Sequence, residues 1–303
     1  MKKIVIAGGS GFLGRILENH FIMAGEQVTI LTRDRISSRN KPSWVAWDGK
    51  NGGTWVTALE GADVLINLSG KSVDCRYNAK NKAEIYSSRL DATGALGKAI
   101  TNCKTPPKLW INAASATIYA HSLQGPNSES TGTIGSGFSV DVCQRWEAEF
   151  NRWDTPDTRK VLLRIAIVLG RNGGVMLPLK NLVRFGLGGA QGDGTQYMSW
   201  IHEDDLVGII EYIMENQHLK GVFNTTAPFP LRNKEVMQAF RASMNIGFGL
   251  PTPKWALEIG AVLINTETEL VLKSRWVVPQ RLHDEGYRFK YCHIEEAIRN
   301  LLE

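Results

Sequence analysis

The chain has 303 residues, 43% hydrophobic and 21% charged, with a formal net charge of +5. That length can bury a sizeable core as one large domain or two lobes. No Lys/Arg run exceeds two residues, which argues against a nucleic-acid partner, and no stretch approaches the roughly 20 apolar residues of a membrane span.

Cys75, Cys103, Cys143 and Cys292 are far apart and form no Cys-x-x-Cys, so they read as reduced thiols rather than a zinc site or disulfide frame. Lys2-Lys3 precedes an apolar run that glycines end after four residues, too short for a signal core. The expected location is cytoplasmic.

The first apolar run, Ile4 to Ala7, gives way to Gly8, Gly11 and Gly14, and an amphipathic pattern begins at once. That reads as strand, tight turn and helix. A side chain at Gly8 or Gly11 would block close approach of a diphosphate, and Gly14 lets the helix pack hard on the strand. The amides and dipole at a helix start favour phosphates. Leu13, Ile16, Leu17 and Phe21 keep helical spacing until Gly25 stops it.

A second strand, Gln27 to Thr32, ends at Arg33. In dinucleotide folds an acid at this place holds the ribose 2′-hydroxyl, whereas an Arg suits a 2′-phosphate. Thr32 stands where the acid would be, with Arg33 and Arg35 behind it, so NADP(H) is expected over NAD(H). Asp34 argues the other way, because a shift of one residue would restore an acid.

Trp44 to Asp48 reads as a third strand, with a short helix at 54–59. Asp63 to Leu68 reads as a buried strand leaving through Ser69-Gly70. A helix is expected over 81–101 and a strand over 109–114, which delivers Ser115-Ala116-Thr117-Ile118-Tyr119 at its carboxyl end. Hydroxyls there suit either a substrate carbonyl or the capping of the loop at 120–137. A helix at 138–153, one strand from Val161 to Val168 and a strand at 221–225 follow. This alternation implies a parallel sheet covered on both faces.

Near His202-Glu203-Asp204-Asp205, Asp204 or Asp205 is expected to cap a helix from Leu206, and no metal is expected. Helices at 234–244, 254–263 and 267–273, a tail strand at 287–291 and a final helix suggest a smaller lobe over the carboxyl edge of the sheet. The expected division is 1–170 with 196–226 as the nucleotide-binding core, and 171–195 with 227–303 as the lobe.

On these residues the chain resembles the short-chain dehydrogenase/reductase superfamily in its extended and atypical branches. Gly8-Gly9-Ser10-Gly11-Phe12-Leu13-Gly14 is similar to the cofactor turn, Asp63 through Gly70 to a later strand, and Ser115 to Tyr119 to the Ser-x-x-x-Tyr element of sugar-nucleotide epimerases. Trp146-Glu147, Arg164 to Gly170, Arg184 to Gly189, Ser199 to His202 and Pro279 to Leu282 together resemble the "epimerase family" proteins, which carry a C-terminal domain of unknown function. The resemblance implies an α/β Rossmann-type doubly wound parallel sheet with a mainly helical C-terminal lobe. It implies NADPH as cofactor, held by Gly8, Gly11, Phe12, Leu13, Gly14, Thr32, Arg33, Asp48, Leu68, Ser69, Gly70 and Ala166.

Two departures qualify the function. Enzymes of the superfamily use a Tyr-x-x-x-Lys pair; aligned through Glu147, those positions hold Ser139 and Cys143. A serine hydroxyl is far less acidic than a phenol, and a neutral thiol carries no positive charge. Ile167 and Met198 stand where sugar-nucleotide enzymes have an Asn and an Arg gripping the diphosphate. One reading is an NADP(H)-dependent oxidoreductase or epimerase on an unknown small carbonyl or hydroxyl substrate, with Ser115 polarising the oxygen and Tyr119 among the candidates for acid/base. The other is a non-catalytic NADP(H)-binding sensor or interaction protein. Either would be a monomer or homodimer.

Overall fold

The structure is a computed structural model and describes residues 1–33, 43–263 and 267–303. Its strands in chain order are β1 (Lys3–Ala7), β2 (Gln27–Thr32), β3 (Trp44–Ala46), β4 (Val64–Asn67), β5 (Leu109–Ser115), β6 (Arg159–Ile165), β7 (Ile167–Gly170), β8 (Gly173–Gly174), β9 (Tyr197–Met198), β10 (Trp200–His202), β11 (Gly221–Thr225) and β12 (Leu231–Arg232). Seven of them form one parallel sheet in the order β11-β6-β5-β4-β1-β2-β3. The chain winds outward from β1 in one direction and returns through β4 in the other. Their shared boundary is therefore the switch point, where such sheets open a crevice at their carboxyl ends.

Alternate residues of each strand serve opposite faces. Ile4 and Ile6 join Leu17, Phe21, Ile209 and Ile213 beneath helices Phe12–Met23 and Glu203–Glu215. Val5 and Ala7 join Leu96, Ile100, Trp110 and Phe150 beneath helices Ala79–Asn102 and Phe138–Asn151. Both faces are covered, so the strands are apolar throughout. A third core gathers helices Met176–Arg184, Asn233–Ser243 and Ile294–Leu302 around Trp200. Leu282, Tyr287 and Phe289 pack instead on the first core, so the tail is divided between the two bodies. Among the described residues, no helix is long and apolar enough to cross a membrane.

Three local expectations are corrected. The apolar run 161–168 is two strands, because the Ala166 amide bonds Thr225 while the Ile167 amide turns to Ser199. From there β7 pairs with β10 in a separate sheet. Residues 287–291 form no strand; the Lys290 and Tyr291 amides donate to the Asp205 carboxylate at 2.7 and 2.9 Å. Asp205 is thus a buried tie for the tail, and the cap belongs to His202, whose Nδ1 accepts from the Asp204 amide at 3.0 Å.

That cap requires a neutral ring, since Nδ1 must keep its lone pair while Nε2–H donates to Asn300 Oδ1 at 3.2 Å. His202 stacks on Tyr291 and is 1% exposed; burial, with Lys290 and Arg171 nearby, drives its pKa from 6.5 to about 4 despite Asp204. The folded pKa is depressed, so the unfolded chain binds a proton that the folded chain refuses. Stability is full above about pH 6.5 and falls as pH drops toward 4, with a slope approaching about 1.4 kcal/mol per pH unit. We expect His202→Gln to flatten this slope, as read by urea unfolding at about pH 7 and about pH 5.

Candidate functional site

The three glycines act differently. Gly8 has φ +72°, and a Cβ there would lie 2.8 Å from the Ser69 Cα, so bareness lets the exits of β1 and β4 touch. A Cβ at Gly14 would overlap the Gly9 backbone, which seats the first helical turn on the strand exit. Gly11 has ordinary backbone and only Gly8 O within 4 Å of an added Cβ. Its bare face opens onto a cavity.

That cavity, of about 570 Å³, lies at the switch point and is lined by Gly8, Gly11, Thr32, Arg33, Asp48, Leu68, Ser69 and Gly70, with Ser10, Trp47, Gly49, Ser88 and Ala92. Its size suits a cofactor. Eight of the twelve expected cofactor residues therefore meet on one surface. Gly14 lies behind the turn. The Phe12 ring turns away and packs where side chains at Gly170 and Gly173 would be, and Ala166 borders a small core around Cys143 and Tyr119. Leu13 packs against the first core. Asp34 and Arg35 lie outside the described residues.

Buried polar groups hold the cavity floor. Asn67 donates to Asn112 Oδ1 at 2.7 Å and to Thr93 at 3.1 Å, and its Oδ1 accepts the Ser69 amide at 3.0 Å. Asp48 accepts the amides of Asn51 and Lys50 and the Asn51 side chain; these bonds, the Asn51 amide first, hold its carboxyl below the usual range. It thus fixes the turn beside Trp47 and Gly49. Sequence reading missed Asn67, Thr93 and Asn112 because their partners are 26 and 45 residues apart.

Beyond Gly70 lies the exit of β5. Ser115 accepts the Thr117 amide at 3.2 Å, which leaves its own hydrogen free to donate. Tyr119 is 1% exposed; its hydroxyl donates to Asn224 at 2.8 Å and accepts from Arg164 at 2.8 Å. Arg164 in turn makes a bidentate pair with Glu147. Burial pushes the Tyr119 phenol up. The Tyr119 hydroxyl is thus engaged both as donor and as acceptor inside the protein.

The Tyr77 hydroxyl stands 3.5 Å from Ser139 Oγ, with its ring edge on Phe138. Ser139 also donates to Glu269 at 3.1 Å, and Lys273, 4.0 Å from that carboxylate, donates to the Thr117 carbonyl at 3.2 Å. Burial pushes the Cys143 thiol up to about 12, so it is neutral. The C-terminal segment reaches this place because its backbone is stitched down: Arg275 N bonds Tyr197 O, Ser274 Oγ bonds Ser122 O, and Val278 N bonds Asn127 O. No spacing in the chain signals that Tyr77, Glu269 and Lys273 meet Ser139.

A parallel sheet with a glycine turn and a cavity at its switch point defines a Rossmann-type dinucleotide-binding protein. The pattern of the NAD dependent epimerase/dehydratase family matches residues 4–225, and that of a domain of unknown function (DUF1731) matches residues 252–301; the chain belongs to the NAD dependent epimerase/dehydratase family. Human epimerase family protein SDR39U1 is 30% identical, covering 99% of both chains. Its crystal structure, described as with NADPH, superposes at a TM-score of 0.88 over 99% of each chain. Epimerase family protein SSP1921 of Staphylococcus saprophyticus is 32% identical over the full length of both. A nucleoside-diphosphate sugar epimerase structure from Corynebacterium glutamicum is 28% identical at a TM-score of 0.79, covering 99% of this chain and 57% of the other.

The glycine geometry separates fold from site. Gly14→Ala should cost about 1–3 kcal/mol or more, since backbone must move to admit the methyl. Gly11→Ala should cost under about 1 kcal/mol in urea unfolding, because its methyl enters open space.

Proposed function

We propose that this chain binds NADP(H) and transfers hydride to or from a small carbonyl or hydroxyl compound, as an oxidoreductase or epimerase. The observation that carries the cofactor is the end of β2: Thr32 and Arg33 line the cavity with Gly11, and Arg33 is exposed there. A guanidinium at this place matches a 2′-phosphate through its planar fork. The human relative crystallised with NADPH supports the same reading. Gly8, Gly11 and the first amides of helix Phe12–Met23 would hold the diphosphate, and Leu68, Ser69 and Gly70 would face the remainder.

When bound, the nicotinamide supplies or accepts hydride. Ser115 donates its free hydrogen to the substrate oxygen and so polarises it. The proton is assigned to Tyr77 rather than Tyr119, because the Tyr119 hydroxyl is already committed to Asn224 and Arg164. Ser139, beside Tyr77, has one hydrogen to turn toward the phenol or toward Glu269, and the partly exposed phenol recovers its proton from water. Residues 1–170 with 196–226 form the nucleotide-binding unit in this reading. Segments 171–195 and 227–303 form the substrate side, with Lys273 as their reach into the site.

A second reading, a non-catalytic NADP(H) sensor, is favoured by the neutral Cys143 and by Ser139 standing where related enzymes carry an acid/base. Turnover decides between them. We expect equilibrium dialysis to show NADPH preferred over NADH, with Arg33→Ala reducing that preference by about tenfold or more. On a substrate found by NADPH oxidation, Tyr77→Phe should lower kcat by roughly 100-fold with NADPH affinity kept, whereas Tyr119→Phe should act chiefly on stability. A protein that binds NADPH and reduces nothing in a broad carbonyl screen would count heavily against the first reading.

A further inference from the structure

The C-terminal lobe carries an exposed apolar corner that the cofactor site does not use. Helix Met176–Arg184 runs into a glycine-rich loop, and that loop is bonded along its backbone to residues 248–252. The Leu250 amide donates to Gly186 O at 2.8 Å, Gly189 N to Leu250 O at 3.0 Å, Thr252 N to Ala190 O at 2.9 Å and Gly192 N to Thr252 O at 2.9 Å. The fit is close: a Cβ on Gly189 would lie 2.5 Å from the Leu250 carbonyl carbon, and one on Gly249 2.6 Å from that of Gly188. Arg241 ties in the same loop by donating to Gly188 O.

The two loops and the start of helix Lys254–Leu263 display large apolar groups to water. Phe185, Phe248 and Trp255 are 79%, 64% and 67% exposed, and Leu187 and Leu250 are exposed with them. Apolar side chains gathered this way mark a contact surface. The bonded backbone holds them in place before any partner arrives, so little ordering is lost on contact.

The charges in these segments have one sign. Lys180, Arg184, Arg241 and Lys254 fall within 176–192 and 241–257, and neither stretch has an Asp or Glu. Glu258, next along, pairs with Lys254 at 4.0 Å. Lys180 and Arg184 have no acidic partner among the described residues. A second copy seated here across a twofold axis would set these cations against their own images. An anionic lipid surface suits both features, because aromatic and aliphatic side chains enter the headgroup layer while cations meet the phosphates.

We propose that this corner docks the protein on an anionic bilayer surface, with Phe185, Phe248 and Trp255 among the headgroups and Lys180, Arg184 and Lys254 against lipid phosphates. The docking is peripheral, by side chains of loops rather than by a spanning helix. It is independent of the hydride-transfer reading, since it uses neither the cofactor cavity nor Ser115.

Sedimentation of the full chain with vesicles tests this. Vesicles of mixed phosphatidylcholine and phosphatidylglycerol should bind it at least about tenfold more tightly than pure phosphatidylcholine vesicles, a preference that shrinks as KCl is raised. Phe185→Ser combined with Phe248→Ser should weaken binding at least about tenfold, with the thermal midpoint kept within about 2 °C, because both side chains already face water. Brominated lipid in the same vesicles should quench tryptophan fluorescence in the wild type and far less in Trp255→Phe. No binding to the anionic vesicles, equal binding to the neutral ones, or unaltered binding by the double serine variant would overturn the docking. So would quenching that Trp255→Phe leaves unchanged. A concentration-dependent dimer that the serine substitutions dissolve would overturn it as well, by assigning the corner to a second copy. Should the serine variant fail to fold, Arg184→Gln combined with Lys254→Gln decides: it should bind anionic vesicles about tenfold more weakly, and unchanged binding sinks the idea.

Discussion

Three backbone segments crowd into one place at the head of the sheet, and the molecule depends on nothing being attached to them. The exit of β1 touches the exit of β4 because Gly8 has no Cβ, and the first helix sits on that exit because Gly14 has none. These contacts set the spacing between β1, β4 and helix Phe12–Met23, and so define the crevice between them. Gly11 sits in the same turn with open space before it, and that space is the cavity. One short turn thereby decides both how the sheet closes and what can enter it.

From that turn the site extends along the carboxyl ends of the strands. On one side lie β2 and β3, with Thr32, Arg33, Trp47 and Asp48. On the other, β4 brings Ser69 and Gly70, held by bonds of Asn67 to Asn112 of β5 and to Thr93 of helix Ala79–Asn102. The far wall is foreign to the sheet. Residues 273–278 cross over it, bonded through their backbone to Tyr197, Asn127 and Ser122, and carry Lys273 to the Thr117 carbonyl. The C-terminal segment thus lies across the exit of β5.

The two tyrosines near that wall illustrate how environment assigns roles. Tyr119 lies four residues after Ser115, yet its hydroxyl is absorbed by Asn224 and by an Arg164 already paired with Glu147. Such a network is stable because each of these groups has a partner within the protein. Tyr77 belongs to an irregular loop and is only partly buried, and its hydroxyl reaches Ser139 across 62 residues of chain. In the first setting the phenol ties β5, β6 and β11 together; in the second it joins a loop to helix Phe138–Asn151.

Local chemistry was legible in the letters. Apolar runs four to seven residues long, glycines at fixed offsets and helical spacing announced the alternating sheet, the first turn and most of the cofactor cavity. Each of those signals acts within about 15 residues, where periodicity and turn geometry dominate. The break at Ala166 was hidden because apolar letters continue through it; the partner strand changes while the hydrophobic pattern does not. His202 as cap, Asp205 as tie for the tail, and the meeting of Tyr77, Ser139, Glu269 and Lys273 depended on segments up to about 190 residues apart. No spacing encodes such a meeting; it exists only once the sheet has set the strand exits and the tail has been bonded across them.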